Sequence, residues 1–147
     1  MVKKLSIVFI ALILFSSNAI AGFYSSNSGY SREAGTVVAA VEIKDKGLYN
    51  LVVTIQFLRK PQDSKIYKSD EYEKLVDRLL VESRGITLQR ILEQKNMALS
   101  DFAVLKKGIE TDIESLANRL KKKLVPDQDI EVVFSISDFF LLEPTDK

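Results

Sequence analysis

A run of regularly spaced apolar residues between Ser100 and Pro126 constrains the fold of this 147-residue chain more than any other segment. The residues follow one another at spacings of 3, 4, 4, 3, 4 and 4, which places them on one face of an α-helix. They are Phe102, Leu105, Ile109, Ile113, Leu116, Leu120 and Leu124. Lysines at 121–123 suit the negative end of the helix dipole. The segment therefore predicts an amphipathic helix of about six turns, whose apolar face must be covered by another layer.

Two β-branched runs in the first half of the chain predict a hairpin. "TVVAAVEI" (36–43) and "LYNLVVTIQFLR" (48–59) are joined by the polar "KDKG", which ends in Gly47. In the second run every second residue is apolar, which indicates a strand covered on one face. These residues are Leu51, Val53, Ile55 and Phe57.

The segment "DIEVVFSISDFFLLEP" (129–144) predicts a third strand beside the hairpin. Apolar residues alternate with other residues as far as Ile136, and four consecutive apolar residues then occupy 139–142. Such a run places apolar side chains on both faces of the strand. Either helices cover one face and a partner the other, or the edge of the strand is itself an interface.

Helical patterns fill the segment between the hairpin and the long helix. One helix is predicted from an acidic capping box at Asp70 to about Ser83, with Gly85 as its C-cap or hinge. A short helix over 86–94, capped by Thr87, follows it. The predicted order is ββ-ααα-β, an α+β fold with a small antiparallel-type sheet and the helices on one of its faces.

The N-terminal residues have the pattern of a secretory signal peptide. Lys3 and Lys4 precede the apolar "LSIVFIALILF" (5–15), and Ala21 is the last of the small residues before an expected cleavage at Gly22. The alternative is a short membrane anchor, although a spanning helix needs ~20 mostly apolar residues and this run is eleven residues long. We expect export to the periplasm, a signal peptide at 1–21, a flexible Ser- and Gly-rich lead at 22–35 and one domain at 36–147.

Composition excludes several classes of function. The chain has no cysteine and no histidine, which removes disulfides, thiol chemistry, histidine-dependent triads and the usual zinc sites. Its 21 basic and 20 acidic residues are balanced, so nothing indicates a nucleic-acid partner. The carboxylates around Glu110 and Glu114 lie on the polar face of the long helix, where solvation explains them. We therefore predict no catalytic residue, metal site or cofactor.

Three segments resemble the FliL family of flagellar basal-body proteins. "GLYNLVVTIQFL" (47–58) is similar to the strand that introduces the family's domain. The segment 86–124 resembles the family's short helix followed by a long helix of the form L-x-x-x-i-x-x-x-i-N-x-x-L. Here that pattern is approximated by Leu105, Ile109, Ile113, Leu116, Asn118 and Leu120. "VVFSISDFFLLE" (132–143) is similar to the family's ending, with Ser137, Asp138 and Phe139 at its Thr-Asp-Phe core.

The resemblance implies a stomatin-like α+β domain and a non-enzymatic role at the flagellar motor. Family members associate with the stator units in the periplasm, so the expected partners are stator proteins, further copies of the chain and the periphery of the inner membrane. From the hydrophobic pattern we predict partner contacts at Leu58, Phe139 and Leu141, which one covered sheet face does not need. The alternative is a periplasmic binding module that holds a lipid or small apolar ligand between the helices and the sheet.

Overall fold

The computed structural model describes residues 31–59 and 69–143. The predictions for the signal peptide or anchor and for lead residues 22–30 lie outside these residues. The elements follow in the order β1 (Ser31–Ile43), β2 (Gly47–Arg59), α1 (Asp70–Leu92), a single 3-10 turn (Leu99–Asp101), α2 (Phe102–Leu124) and β3 (Val133–Leu142).

The three strands form one antiparallel sheet in the order β1-β2-β3, with β2 at its centre. This sheet and the two helices confirm the α+β class and the C-terminal strand beside the hairpin. β1 starts at Ser31, five residues before the predicted Thr36. The extension follows from β2, because β2 continues to Arg59 and its last residues provide hydrogen-bonding partners for 31–35.

The helices cover one face of this sheet. Alternate residues of β1 and β2 face the helices, and Leu51, Val53 and Ile55 of the central strand are fully buried. The predicted apolar stripe of α2 is confirmed, since its central residues are buried in the same core. These are Leu105, Ile109, Ile113, Leu116 and Leu120. Neither of the described helices is long and apolar enough to cross a bilayer.

The prediction of three helices is wrong, because α1 runs through Gly85 without a break. A glycine inside a helix costs about 1 kcal/mol relative to alanine. Buried residues at every fourth position, Leu79, Ser83, Thr87 and Ile91, hold both halves of α1 against one core. Burying even one large apolar side chain contributes about 1.5–3 kcal/mol, so packing outweighs the preference of the glycine. The order is therefore ββ-αα-β.

The ends of α1 also differ from the prediction. Ser69, and not Asp70, is the N-cap residue, and its hydroxyl accepts a hydrogen bond from the backbone N–H of Tyr72 at 3.2 Å. Beyond the helix, the connection to α2 returns to the sheet. Met97 donates its backbone N–H to the carbonyl of Glu42 and accepts from the N–H of Lys44, both at 2.9 Å.

Candidate interaction surface

β3 changes its alternation at Ser137. Ile136 lies opposite Ile55 and Asp138 lies opposite Thr54, so Ser137 is left without an opposite residue on β2. This extra residue is a β-bulge. Because neighbouring side chains of a strand point to opposite faces, the bulge reverses the faces of all later β3 residues.

The bulge turns two of the predicted contact residues toward the core. Phe139 lies opposite the buried Val53, and its ring meets the ring of Phe102 edge to face, with the centroids 5.8 Å apart. Leu141 lies opposite the buried Leu51, and both Phe139 and Leu141 are partly buried against the core. They complete the inner face of the sheet at its β3 edge.

The residues that reach solvent are their neighbours, Phe140 and Leu142, which are 44% and 48% exposed. The hydrophobic pattern does not select them, because uninterrupted alternation from Ile136 would place them inward. The sequence carries one signal of the change of face, the polar pair Ser137–Asp138, which interrupts an otherwise regular alternation.

These residues belong to an apolar patch on the face of the sheet that neither described helix covers. Val38 of β1 lies opposite Val52 of β2, and Val52 lies opposite Phe140 of β3. Leu142 extends the row toward the hairpin turn, opposite Asn50. We call Val38, Val52, Phe140 and Leu142 the outer patch. Its members on β1 and β3 are exposed to water, whereas Val52 on the central strand is buried.

A polar row borders the outer patch on one side. Thr36, Thr54 and Asp138 lie opposite one another across the three strands, and the hydroxyls of the two threonines are 3.0 Å apart. The change from a hydroxyl and carboxylate row to an apolar row takes place within two residues along each strand. The outer patch therefore has a defined polar boundary.

Leu58, the third predicted contact residue, lies away from the outer patch. It is partly buried near the end of β2, opposite Val133, and lines a cleft of about 220 Å³ with Phe57 and Phe134. Ligand pockets commonly enclose about 300–1,000 Å³, so this cleft is small. The structure thus does not bring Leu58 together with Phe139 and Leu141.

A second concave region lies between the two helices. Arg90 of α1 donates two hydrogen bonds to the carboxylate of Asp112 on α2, of which Nη2 to Oδ1 measures 2.8 Å. The hydrogen-bonded carboxylate of Asp112 raises the pKa of Arg90 above its ordinary value. Glu82 bonds Arg78 and lies 3.8 Å from Arg119. Asp112 and Glu82 are therefore engaged by arginines, which indicates a structural role for these two carboxylates.

The described part of the chain groups no three acidic side chains in a way that could hold a metal ion. The space between helices and sheet is occupied by one continuous core, to which Leu51, Ile55, Leu75, Ile109 and Ile113 contribute fully buried side chains. A lipid or small apolar ligand between the layers would have to displace such side chains. The outer patch is therefore the surface on which a partner finds apolar contacts already exposed.

Comparison of the chain with protein-family models, curated proteins and solved structures finds no match. The resemblance to the FliL family, with the stomatin-like fold that it implies, stays a prediction from the three segments quoted above.

Proposed function

We propose that this protein is a non-enzymatic interaction domain of the bacterial cell envelope, and that its outer patch contacts a partner protein. One observation carries the proposal: Val38, Val52 and Phe140 form an apolar row across a sheet face that no described helix covers. An antiparallel sheet with one face in water normally shows polar residues there. Exposed apolar patches with polar borders mark interaction sites.

The size of the patch indicates the kind of contact. Strands lie about 4.8 Å apart and rise about 3.3 Å per residue, so three strands and two rows cover on the order of 200 Å². A stable interface buries about 800 Å² on each partner. The outer patch by itself supports a transient contact and not a permanent complex, as suits an accessory factor.

The proposed partner is the stator of the flagellar motor. Two predictions from the sequence support this assignment: the resemblance of 47–58, 86–124 and 132–143 to the FliL family, and the signal-like pattern of residues 1–21. A domain that reaches the periplasm would meet the periplasmic parts of stator proteins there. Its role would be to support the stator under load.

Motility under viscous load tests this function. In the source bacterium the gene is deleted and replaced by the wild type, by Phe140→Ser or by Val104→Ser. Val104 is a matched control, because it is 73% exposed and lies on α2, away from the outer patch. We expect the deletion and Phe140→Ser to slow swimming in viscous medium and to reduce co-purification with stator proteins, whereas Val104→Ser restores both. Unchanged motility of the deletion strain, together with no stator co-purification, would refute the proposal.

A further inference from the structure

The outer edge of β1 carries backbone groups that point away from the sheet. Met97 bonds the carbonyl of Glu42 and the N–H of Lys44, which shows that even-numbered residues of β1 direct these groups to the free edge. Odd-numbered residues direct theirs toward β2, because the direction alternates along a strand. The even-numbered residues before Glu42 lie on the same edge. They are Ala34, Thr36, Val38 and Ala40.

Within the described residues, only the end of this edge pairs with another segment of the chain. Met97 forms a single parallel bridge with Ile43. Its neighbour Asn96 has a φ of 49°, in the left-handed region, so the extended path that could continue along β1 ends there. No other described residue forms a backbone bridge with this edge. Among the described residues, the edge from Ala34 to Ala40 is therefore an open continuation of a pairing that the fold already uses.

This edge lacks the usual protection against an added strand. Proteins commonly protect such edges with proline, lysine or a bulge, and residues 33–41 of β1 contain none of these. The other edge strand, β3, does contain a bulge, at Ser137. β1 is therefore the better edge for a further strand.

Side chains of α1 lie directly above this edge strand. A Cβ atom placed on Gly35 would be 2.8 Å from Cδ of Arg84 and 3.3 Å from Cδ1 of Leu80. The aliphatic stem of Arg84 and the partly buried Leu80 thus cover the helix-facing side of β1. A strand added beside β1 would meet the edge-facing backbone groups of β1 along its length. Every second side chain of that strand would lie near the apolar groups of α1.

We propose that β1 is an acceptor site for strand addition, and that its occupant is an extended segment of a partner protein with apolar residues at alternate positions. The segment pairs with β1 between Ala34 and Ala40, next to the Met97 bridge. A second copy of this chain fits poorly. Two-fold pairing of β1 with β1 would bring two α1 helices to about one strand spacing, ~4.8 Å, whereas packed helices need about 8–10 Å.

Amide exchange with a defined probe tests the site. The protein is purified from its own cells, labelled with ¹⁵N and mixed with a capped seven-residue peptide that has valine at alternate positions, threonine between them and lysine at both ends. We expect the peptide to slow exchange at Ala34, Thr36, Val38 and Ala40 by roughly tenfold, about the effect of one hydrogen bond. The same peptide with proline at its central valine should have no effect. Unchanged exchange at these four amides with millimolar peptide would overturn the proposal.

Two substitutions at one position separate backbone pairing from side-chain contact. Val38→Pro removes an edge-facing N–H without removing a bond to β2, and proline is tolerated at such edge positions. Val38→Thr keeps the N–H. We expect peptide binding to weaken by roughly tenfold in Val38→Pro and to persist in Val38→Thr. Equal binding by both variants would overturn the proposal. If Val38→Pro lowers the unfolding midpoint strongly, Ala40→Pro provides the same comparison.

The free protein and one outer-patch variant complete the test. Protection of the four edge amides without peptide would overturn the proposal. Protection that rises with protein concentration would mean that a second copy of the chain pairs with the edge. Protection that stays constant would mean that another segment of the same chain does so. Phe140→Ser should bind the peptide as the wild type does, because Phe140 lies on β3, at the other side of the sheet from the β1 edge. Loss of peptide binding in Phe140→Ser would also count against the edge site. The strand-addition proposal can therefore fail or hold independently of the stator function.

Discussion

Thr87 illustrates how one side chain can oppose the stability of the helix that contains it. The residue is 1% exposed in the middle of α1, and its hydroxyl finds no hydrogen-bond partner among the described residues. Ser83, one turn earlier and equally enclosed, donates its hydroxyl to the carbonyl of Leu80 at 3.3 Å. A buried polar group without a partner costs about 1–3 kcal/mol.

Replacing Thr87 with valine should therefore stabilise the protein. Valine has nearly the same shape and the same branching, so the change removes the hydroxyl and leaves the packing. We expect the free energy of unfolding to rise by about 0.5–2 kcal/mol in urea titrations. Ser83→Ala is the matched control and should not stabilise the fold, because its hydroxyl is bonded. A loss of stability in Thr87→Val would show that the hydroxyl has a partner in solution.

The Arg90–Asp112 pair should contribute little despite its two hydrogen bonds. Their side chains are 37% and 30% exposed, so water screens the attraction. Exposed ion pairs contribute about 0.2–1 kcal/mol. We expect a double-mutant cycle of Arg90→Ala and Asp112→Ala to give a coupling of about 0.5–1 kcal/mol that decreases in high salt. A coupling that is unaffected by salt would contradict the solvent-screened description.

The element scale begins with α1 and its central glycine. A Cβ atom added at Gly85 would meet nothing within 4 Å, so the site has room for alanine. Gly85→Ala should raise the free energy of unfolding by about 0.5–1 kcal/mol through helix propensity. Gly108→Ala is the control, because its Cβ would lie 3.0 Å from Nη1 of Arg90. We expect a smaller gain there or none, measured as the shift in urea midpoint. Destabilisation by Gly85→Ala would mean that α1 bends at this residue in solution.

The bulge in β3 leads to a prediction about one residue. Deleting Ser137 would remove the bulge and leave the rest of the pairing in place, because Asp138 would then follow Ile136 directly and still lie opposite Thr54. Phe139 and Leu141 would stay inward, and the contact between Phe139 and Phe102 would be kept. We therefore expect the unfolding midpoint to change little. Deleting Ser135, which lies within the regular alternation, is the control: it would reverse the faces of the residues on one side of the deletion and should cost several kcal/mol, as for removal of large core side chains. Equal losses would argue against the assignment of Ser137 as the extra residue.

The helices and strands differ in how far the sequence predicts them. The stripe of α2 and the alternation of β2 are long and regular, so their periods predict both the elements and their buried faces. Gly85 and Ser137 are single residues whose effect depends on what packs against them. Gly85 lies within a helix because both halves of α1 pack against one core. Ser137 forms a bulge because β3 pairs with β2, a strand that is distant in the sequence. For this reason the structure has Phe139 and Leu141 on the inner face of the sheet and Phe140 and Leu142 on the outer face.

At the scale of the whole molecule, one small sheet has three surfaces with different chemistry. Its inner face is covered by α1 and α2, its outer face carries the outer patch, and its β1 edge presents free backbone groups. The Met97 bridge ties the connection between the helices to the sheet. A partner protein could thus approach the outer face or the β1 edge, whereas the inner face is already covered.

The order of the strands also has a consequence for synthesis. β2 ends at Arg59 but obtains its second neighbour only when β3 begins at Val133. At typical translation rates the central strand waits roughly 4–15 s for that neighbour. A chain that stops at Asp129 should therefore be cleaved readily in limited proteolysis, while the full chain resists; equal resistance would contradict this. During that interval the free side of β2 can pair wrongly with a second nascent copy of the chain.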